Sequence, residues 1–150
     1  MHFKIIEAEK DHIKQIGELF DLYRQFYKYD SDIFKSTNYI KERIINKESK
    51  IFIAIDNDNK AIGFVQLYET FGSLDLGKII VLYDLYVKEE FRKNNVGREL
   101  MLASHYYAKK MKVKRVQLST AIDNFIGQSL YESLGYVRDN DFYTYDLEIK

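Results

Sequence analysis

A loop rich in basic residues precedes the start of a predicted helix, where it could bind a phosphate. The residues that give this loop its character are Arg92, Lys93, Gly97 and Arg98. The start of a helix offers backbone N–H groups without intrahelical partners and carries a partial positive charge. Phosphates bind at such positions. The same cations would also suit a solvated surface loop, but a strand before the loop and a helix after it favour the phosphate site.

Asp84 is the second candidate for chemistry, because it is a carboxylate within an otherwise apolar stretch, Ile79–Val87. Burial of a carboxylate is unfavourable unless the group is paired or functional. Its side chain could therefore take part in the chemistry of a site, or make a structural hydrogen bond to neighbouring backbone. Alternation along a strand places Asp84 and Tyr86 on one face, unless a β-bulge shifts the phase.

The elements that must position these residues are a strand, a loop and a helix in direct succession. Ile79–Val87 is rich in β-branched and aromatic residues and predicts a mostly buried strand. Residues 96–111 carry apolar side chains three or four positions apart, which predicts one face of a helix. The basic loop therefore lies at a strand-to-helix junction.

Three strands and two helices are predicted before this junction. The strands are Phe3–Glu7, Lys50–Ile55 and Ala61–Thr70. The last two are expected to form an antiparallel meander with the central strand. The first helix carries an apolar stripe from Ile13 to Tyr27 and is predicted to be capped by Asp11. The second is predicted to be capped by Ser36 or Thr37 and to run to about Asn46.

A parallel strand, a helix and a terminal hairpin are predicted after it. Val113–Ser119 follows a helix that follows a strand, so we expect it to be a parallel neighbour of the central strand. The Asp123-Asn124 pair would cap the last helix, and Gly135 would end it. Residues 136–138 and 142–149 then predict the two strands of a hairpin.

Composition excludes several classes of protein. The 150 residues are 46% hydrophobic and 15% aromatic, which excludes a disordered chain and fits one domain spanning residues 1–150. There is no cysteine, so a thiolate metal site and a cysteine nucleophile are excluded, and the three histidines are too scattered to form a metal cluster. Acidic and basic residues balance at 23 each, which gives no electrostatic case for nucleic acid. Without an apolar signal or membrane-spanning run, we expect a cytoplasmic protein with no membrane partner.

Two motifs resemble the conserved blocks of the GCN5-related N-acetyltransferases, the GNAT superfamily. Arg92-x-x-Asn95-x-Gly97, preceded by Asp84-Leu85-Tyr86-Val87, resembles the acetyl-CoA signature Arg/Gln-x-x-Gly-x-Gly/Ala. Asn95 replaces the first glycine, and asparagine is the residue that best tolerates a left-handed backbone after glycine. The second block, Asn124-x-x-Gly127-x-x-Leu130-Tyr131, continues to Gly135-Tyr136 and carries Gly127 where the family usually has alanine.

The resemblance, which with the meander covers most of residues 50–149, implies an acetyl-CoA-dependent N-acetyltransferase. It implies a mixed α/β (α+β) GNAT fold whose mostly antiparallel sheet has six to seven strands, a central parallel pair and about four flanking helices. Two parallel strands splay apart in this fold, and the pantetheine of the co-substrate pairs with the freed edge. The residues so implied in acetyl-CoA binding are Leu85, Tyr86, Val87, Arg92, Lys93, Asn94, Asn95, Val96, Gly97, Arg98, Asn124, Gly127 and Tyr131.

The resemblance also implies roles in transfer to an amine. Tyr131 matches the family's general acid, which donates to the departing thiolate. Asp84 is the best-placed base, and Glu69 on the adjoining strand is the alternative. Tyr27 and Tyr29, at the end of the first helix, are candidates for the acceptor pocket together with both carboxylates. These acids and tyrosines favour a cationic acceptor such as a primary amine.

Three functions remain open at this point. The first is an N-acetyltransferase of a small amine or polyamine-like acceptor, nearest to the polyamine and small-amine branch, with a protein amino group as another acceptor. The second is a non-catalytic acyl-CoA-binding or regulatory module, which the substitutions Asn95 and Gly127 keep open. The third is a plain α/β interaction domain, disfavoured because no basic strand pair interleaved with aromatic residues is present. The Tyr-rich terminal hairpin would suit a homodimer.

Overall fold

The computed structural model describes residues 1–150, which form two compact units, residues 1–118 and residues 119–150. The first unit holds five strands and three helices, and the second holds one helix. Both motifs of the sequence therefore lie on ordered elements, the basic loop in the first unit and the Asn124 block in the second.

The sheet of the first unit follows the order of the chain. Its strands are β1 Phe3–Glu7, β2 Lys50–Asp56, β3 Ala61–Gly72, β4 Gly77–Val87 and β5 Val116–Gln117. Neighbours in space are neighbours in sequence, β1 to β5, with three antiparallel pairings followed by a parallel pairing of β4 with β5. This confirms the predicted meander and the predicted parallel neighbour, because short turns and a helical crossover connect strands in these two ways.

The helices of the first unit are α1 Ile13–Phe26, α2 Ile33–Ile45 and α3 Val96–Lys110. The predicted caps of α1 and α2 were wrong. Asp11 lies inside a short 3₁₀ turn, Lys10–His12, that precedes α1. Asp32 caps α2 by accepting the Lys35 N–H, whereas Ser36 and Thr37 lie inside the helix. No helix of the protein combines the length and apolar character needed to cross a bilayer.

Helices cover both faces of the sheet. Apolar side chains of α1 and α2 form one core with alternate residues of β2 and with Phe64 of β3. The members of that core are Ile16, Leu19, Phe20, Ile40, Ile51, Ile53, Ile55, Ala61 and Phe64. On β2, Phe52 points the other way and its ring lies 5.9 Å from that of Tyr107 in α3. The sheet is therefore the middle layer of three, since successive strand residues face opposite sides.

The second unit contains α4, Phe125–Ser133, with both predicted ends confirmed. The Asn124 side chain caps the helix by accepting the Gly127 N–H at 3.1 Å. Gly135 follows the last residue with φ of 92°, the left-handed conformation that glycine adopts after a helix.

The terminal hairpin and the six- to seven-strand count were wrong. Residues 136–150 contain neither helix nor strand, and their apolar side chains stand exposed. The sheet therefore has five strands, and its parallel pair lies at one edge rather than at the centre. An alternating apolar pattern does not by itself make a strand. The segment must also form backbone hydrogen bonds with a neighbouring strand that has free N–H and C=O groups. Pairing partners are not visible in a local pattern.

Candidate active site

The edge of β4 that faces away from β3 is open over most of its length. β4 pairs with β5 only at Ile80 and Val81, whereas β4 continues to Val87. Residues 82–87 thus have a strand neighbour on one side only. β4 thus has the free edge that the resemblance implied, and the reason is that β5 is only two residues long.

The register of β4 shows which backbone groups point to this open edge. The Lys88 N–H donates to the Ile62 carbonyl of β3 at 2.9 Å. Because backbone direction alternates along a strand, Tyr86 also directs its backbone toward β3, and Leu85 and Val87 direct theirs away. Of the three residues implied in pantetheine pairing, two therefore present N–H and C=O groups to the edge.

The basic loop reaches α3 through two residues with left-handed backbones. Lys93 has φ of 62°, and Asn95, the N-cap, has φ of 63° and ψ of 6°. The prediction that Asn95 meets the backbone requirement of the family's glycine is confirmed. The Asn95 side chain makes no capping hydrogen bond, so it leaves the first N–H groups of α3, those of Val96 and Gly97, to other acceptors. Arg98 lies half-buried in the same turn.

Two side chains of the loop hold its shape. Arg92 donates from Nε to the Val87 carbonyl at 3.0 Å, and its guanidinium lies over the rings of Tyr86 and Phe26. Asn94 donates from Nδ2 to the carbonyls of Phe91 and Arg92. The structure therefore shows these two as anchors of the loop, and a direct charge contact from Arg92 to a phosphate stays a prediction.

These groups fit the shape and chemistry of acetyl-CoA. The uncapped start of α3 suits its diphosphate, because N–H donors and the helix dipole converge there. The open edge at Leu85 and Val87 suits its pantetheine amides, which can pair as an added strand would. The two sites adjoin, since the loop from β4 to α3 connects them.

A β-bulge places Asp84 inside the protein. Gln66 and Leu67 of β3 are paired with Asp84 and Leu82, which leaves Tyr83 as the extra residue. As a result Asp84 is buried while Tyr83 is 65% exposed. Gln66 Nε2 donates to Asp84 Oδ2 at 2.7 Å. Burial raises the pKa of Asp84 to about 6, although hydrogen bonds from Gln66 and Tyr23 favour its ionised form.

Five tyrosines surround this carboxylate or extend outward from it, and we term them the tyrosine cluster. They are Tyr23 of α1, Tyr27 at the C-cap of α1, Tyr39 of α2, Tyr68 of β3 and Tyr83 of β4. The Tyr23 hydroxyl donates to the Tyr83 carbonyl at 3.2 Å, and the Tyr39 and Tyr68 hydroxyls are 2.6 Å apart. Rings meet between Tyr23 and Tyr27 at 5.1 Å and between Tyr68 and Tyr83 at 5.7 Å.

Three tyrosines of the cluster, Tyr23, Tyr27 and Tyr68, stay neutral around Asp84. Burial and the charge of Asp84 together raise the pKa values of Tyr23, Tyr27 and Tyr68. Their hydroxyls are therefore hydrogen-bonding groups rather than acids or bases at neutral pH. A buried carboxylate among aromatic rings can attract and hold a cation.

The structure does not bring Tyr29 and Glu69 to this site. Tyr29 is 61% exposed, and its ring lies under the Arg24 guanidinium rather than in the tyrosine cluster. Glu69 faces the α3 side of the sheet, where it accepts a hydrogen bond from Tyr107 at 2.9 Å and pairs with Lys78 at 3.6 Å. Strand alternation explains the separation, because Glu69 is three residues from Gln66 and so points to the other face. Tyr27 is the predicted pocket residue that joins the tyrosine cluster, through its ring contact with Tyr23.

The residues of the Asn124 block lie in the second unit. Asn124 caps α4, and its Nδ2 also donates to Thr120 Oγ1 at 3.0 Å. A Cβ on Gly127 would come within 2.6 Å of Asn124 Nδ2. Glycine in place of the family's alanine therefore gives room to the capping amide. Tyr131 lies on α4 with its ring 6.2 Å from that of Tyr136.

Sequence reasoning missed four residues of the site: Gln66, Tyr23, Tyr39 and Tyr68. The apolar patterns predict Tyr23 and Tyr39 as inward-facing residues of α1 and α2, and no motif singles out Gln66 or Tyr68. One signal was available, because Gln66 is a polar residue within a continuous apolar run of β3, and it proves completely buried. A buried amide needs partners, so its position could have pointed to Asp84.

Residues 16–136 match the model of the acetyltransferase (GNAT) family. The chain belongs to this family. The GNAT match takes in the open edge of β4, the loop to α3 and the whole of α4, so the elements described above are those that the family shares.

Individual GNAT relatives match over nearly the whole chain. An uncharacterized N-acetyltransferase of Bacillus subtilis, YhfO, is 37% identical, and the alignment covers 97% of each chain. A crystal structure of a probable acetyltransferase superposes with a TM-score of 0.91 at 34% identity, covering 98% of both chains. The spermidine N(1)-acetyltransferase of Thermoplasma acidophilum is 26% identical over 97% of each chain. The chain is therefore an acetyltransferase enzyme with the GNAT fold.

Proposed function

We propose that this GNAT enzyme transfers the acetyl group of acetyl-CoA directly to the primary amine of a small, cationic, polyamine-like acceptor. The observation that carries the proposal is the buried Asp84 carboxylate, which lies among the tyrosine cluster beside the open edge of β4. A site of this kind attracts an alkylammonium group through one charge and several aromatic faces. The relative that acts on spermidine supports the same class of acceptor.

Acetyl-CoA, when bound, supplies the acetyl group as a reactive thioester. The backbone N–H groups of Val96 and Gly97 would hold its diphosphate, with charge from Lys93 and Arg98. The Leu85 and Val87 backbone would hold its pantetheine against β4. These contacts orient both substrates in one ternary complex, which makes the transfer effectively unimolecular.

Asp84 would take the proton that the acceptor must lose. An alkylamine has a pKa near ~10 and is mostly protonated at neutral pH, so it becomes a nucleophile only after deprotonation. With a pKa of about 6, Asp84 is ionised at neutral pH and is a stronger base than an ordinary carboxylate. The neutral tyrosines beside it leave Asp84 as the base of this cluster.

Tyr131 would hold, on its hydroxyl, the proton that the departing sulfur receives. A phenol carries its proton throughout the physiological pH range, so it can donate that proton to a thiolate. A positioned proton donor of this kind contributes about 10²- to 10⁴-fold. The chain has no cysteine nucleophile, and we propose direct transfer without an acyl-enzyme.

The test is release of CoA across a panel of amines, with variants in matched pairs. Asp84→Asn should lower kcat about 10²- to 10⁴-fold, whereas Glu69→Gln, on the other face of the sheet, should leave it nearly unchanged. Tyr131→Phe should lower kcat, and Tyr29→Phe should not. A fall in activity with Glu69→Gln but not with Asp84→Asn would show that the base is assigned wrongly.

The same panel separates classes of acceptor and function. Polyamines and simple diamines should give the highest kcat/KM, because each offers a primary ammonium on a flexible apolar chain. A peptide amino group that outperforms them would favour a protein N-acetyltransferase. Binding of acetyl-CoA, seen as a rise in Tm, with no turnover of any amine would favour a non-catalytic acyl-CoA-binding module.

We also propose that the enzyme is a homodimer. Alternate residues near the end of the chain are 84–90% exposed: Tyr143, Tyr145, Leu147 and Ile149. Phe142 and Val137 are exposed as well. Exposed apolar surface on this scale marks a protein contact. Light scattering should give twice the 17.9 kDa mass of one chain, and a truncation before Phe142 should give a monomer. A full-length mass of one chain would reject the dimer.

A further inference from the structure

Gln66 is a fully buried amide that bridges two other polar side chains. It lies in β3, directly across from Asp84, and is 0% exposed. Nε2 donates to Asp84 Oδ2 at 2.7 Å, and Oε1 accepts from Ser49 Oγ at 2.8 Å. An amide in a core is costly unless both of its ends are hydrogen-bonded. Both ends of this amide are used, one of them on the candidate base.

Ser49 holds the end of the amide that faces away from Asp84. Its hydroxyl donates to the carbonyl oxygen of Gln66, which leaves the amide nitrogen to face the carboxylate. An ionised carboxylate can only accept hydrogen bonds, so the amide nitrogen is the matching end. The hydrogen bond engages Oδ2, and Oδ1 remains for contact with the tyrosine cluster and a substrate.

We propose that Gln66, anchored by Ser49, is the positioning residue for proton transfer at Asp84. It holds Oδ2 so that Oδ1 accepts the proton of the acceptor ammonium. In this step the N–H bond of the ammonium breaks, its electron pair stays on nitrogen, and an O–H bond forms at Oδ1. The inference rests on the proposed role of Asp84 and adds two residues that no motif of the family contributed.

The hydrogen bond from Gln66 favours the ionised form of Asp84 against the effect of burial. The titratable groups that act on it are Tyr23 of α1, Tyr27 at the C-cap of α1 and Tyr68 of β3, all neutral at physiological pH. No cation is among the influences on Asp84, where burial favours the protonated form and hydrogen bonds from Gln66 and Tyr23 oppose it. Loss of the Gln66 donor therefore raises the pKa of Asp84 further.

The test is the pH profile of kcat/KM in three variants. Gln66→Met removes the donor but keeps the length of the side chain, and Ser49→Ala removes the anchor with little loss of packing. Leu67→Ala is the control, because it damages the same strand at a buried residue on the other face. Gln66→Met should move the acidic limb upward by about one pH unit, which lowers kcat/KM about tenfold below the limb. Ser49→Ala should move it in the same direction by less.

The control separates positioning from general destabilisation. Leu67→Ala should lower Tm and leave the acidic limb in place. An unmoved limb in both Gln66→Met and Ser49→Ala would overturn the inference, and Ser49→Ala decides the matter if Gln66→Met does not fold. Asp84→Asn distinguishes this failure from failure of the proposed function. An Asp84→Asn enzyme with full turnover would refute the base itself, whereas an inactive one with an unmoved limb in the other variants would refute only the positioning role.

Discussion

Asp84 should make the folded protein less stable at neutral pH than an uncharged residue would. Its carboxylate is buried, and its pKa is raised from 3.8 to about 6. The folded state therefore binds a proton more tightly than the unfolded state does. The cost of ionisation is absent below about pH 4, grows as the pH rises through about 6, and is complete above it.

The size of the effect follows from the pKa difference. At 1.36 kcal/mol per pH unit, the rise from 3.8 to about 6 costs about 3 kcal/mol at pH 7.5. Asp84→Asn keeps an oxygen that can accept from Gln66 Nε2 but cannot ionise. The variant should thus be more stable than the parent by up to about 3 kcal/mol at pH 7.5, or about 6–12 °C in Tm for a chain of this size. At pH 4 the two proteins should melt together.

The assay is thermal and urea unfolding of both proteins from pH 4 to pH 8, alongside Asp58→Asn. Asp58 is an exposed turn residue, so its variant should track the parent within about 0.5 kcal/mol at every pH. An Asp84→Asn variant that is destabilised equally at pH 4 and pH 7.5 would refute the reasoning. It would show that the partners of Asp84 stabilise its ionised form enough to offset burial. The carboxylate would then have a structural role, and its pKa would not be raised.

Three backbone and packing predictions can be checked by the same melts. Asn95→Ala should lower the free energy of unfolding by about 1–2 kcal/mol, because the left-handed conformation is unfavourable for alanine. Asn95→Gly should stay within about 1 kcal/mol of the parent. Equal losses in the two variants would contradict this reason. Gly63→Ala should lose about 1–3 kcal/mol, since its Cβ would lie 2.9 Å from the Tyr86 carbonyl oxygen and force β4 to shift. Gly127→Ala should leave Tm nearly unchanged, because the loss of about 1 kcal/mol from the Asn124 cap, whose amide the new Cβ would meet, is offset by a gain of about 1 kcal/mol in helix propensity. A clear rise in Tm would mean that the amide moves aside freely.

Features that depend on a few neighbouring residues were predicted well. The left-handed Asn95, the capping Asn124 and the terminal Gly135 were all confirmed. Each of them depends on backbone geometry within one turn of helix, which local residue types determine. The same is true of the two motifs, which together with the meander were enough to predict the family.

Local patterns were ambiguous where several residues could play one part. Asp32, Ser36 and Thr37 are all good N-cap residues, and the structure selects Asp32. Ser36 is instead drawn to Asp21, whose carboxylate accepts its hydroxyl at 2.9 Å. That carboxylate lies in another helix, so the choice depended on how α1 and α2 pack.

The candidate site itself required tertiary structure. One extra residue in β4 decides that Asp84 is buried and Tyr83 exposed, and nothing in the composition of the strand marks that bulge. The separation of Glu69 from Asp84 and the meeting of Gln66 with Asp84 depend on register, which is a relation between strands.

Sequence alone thus determined the family, the order of elements, and the loop and helix start that suit acetyl-CoA, because these depend on contiguous residues. Tertiary structure alone decided which carboxylate is surrounded by tyrosines, which amide holds it, and that residues 136–150 add no strand to the sheet. The tyrosines that α1, α2 and β3 contribute to the cluster around Asp84 lie 16 to 61 residues before it in the chain, and only the packing of these elements brings them together.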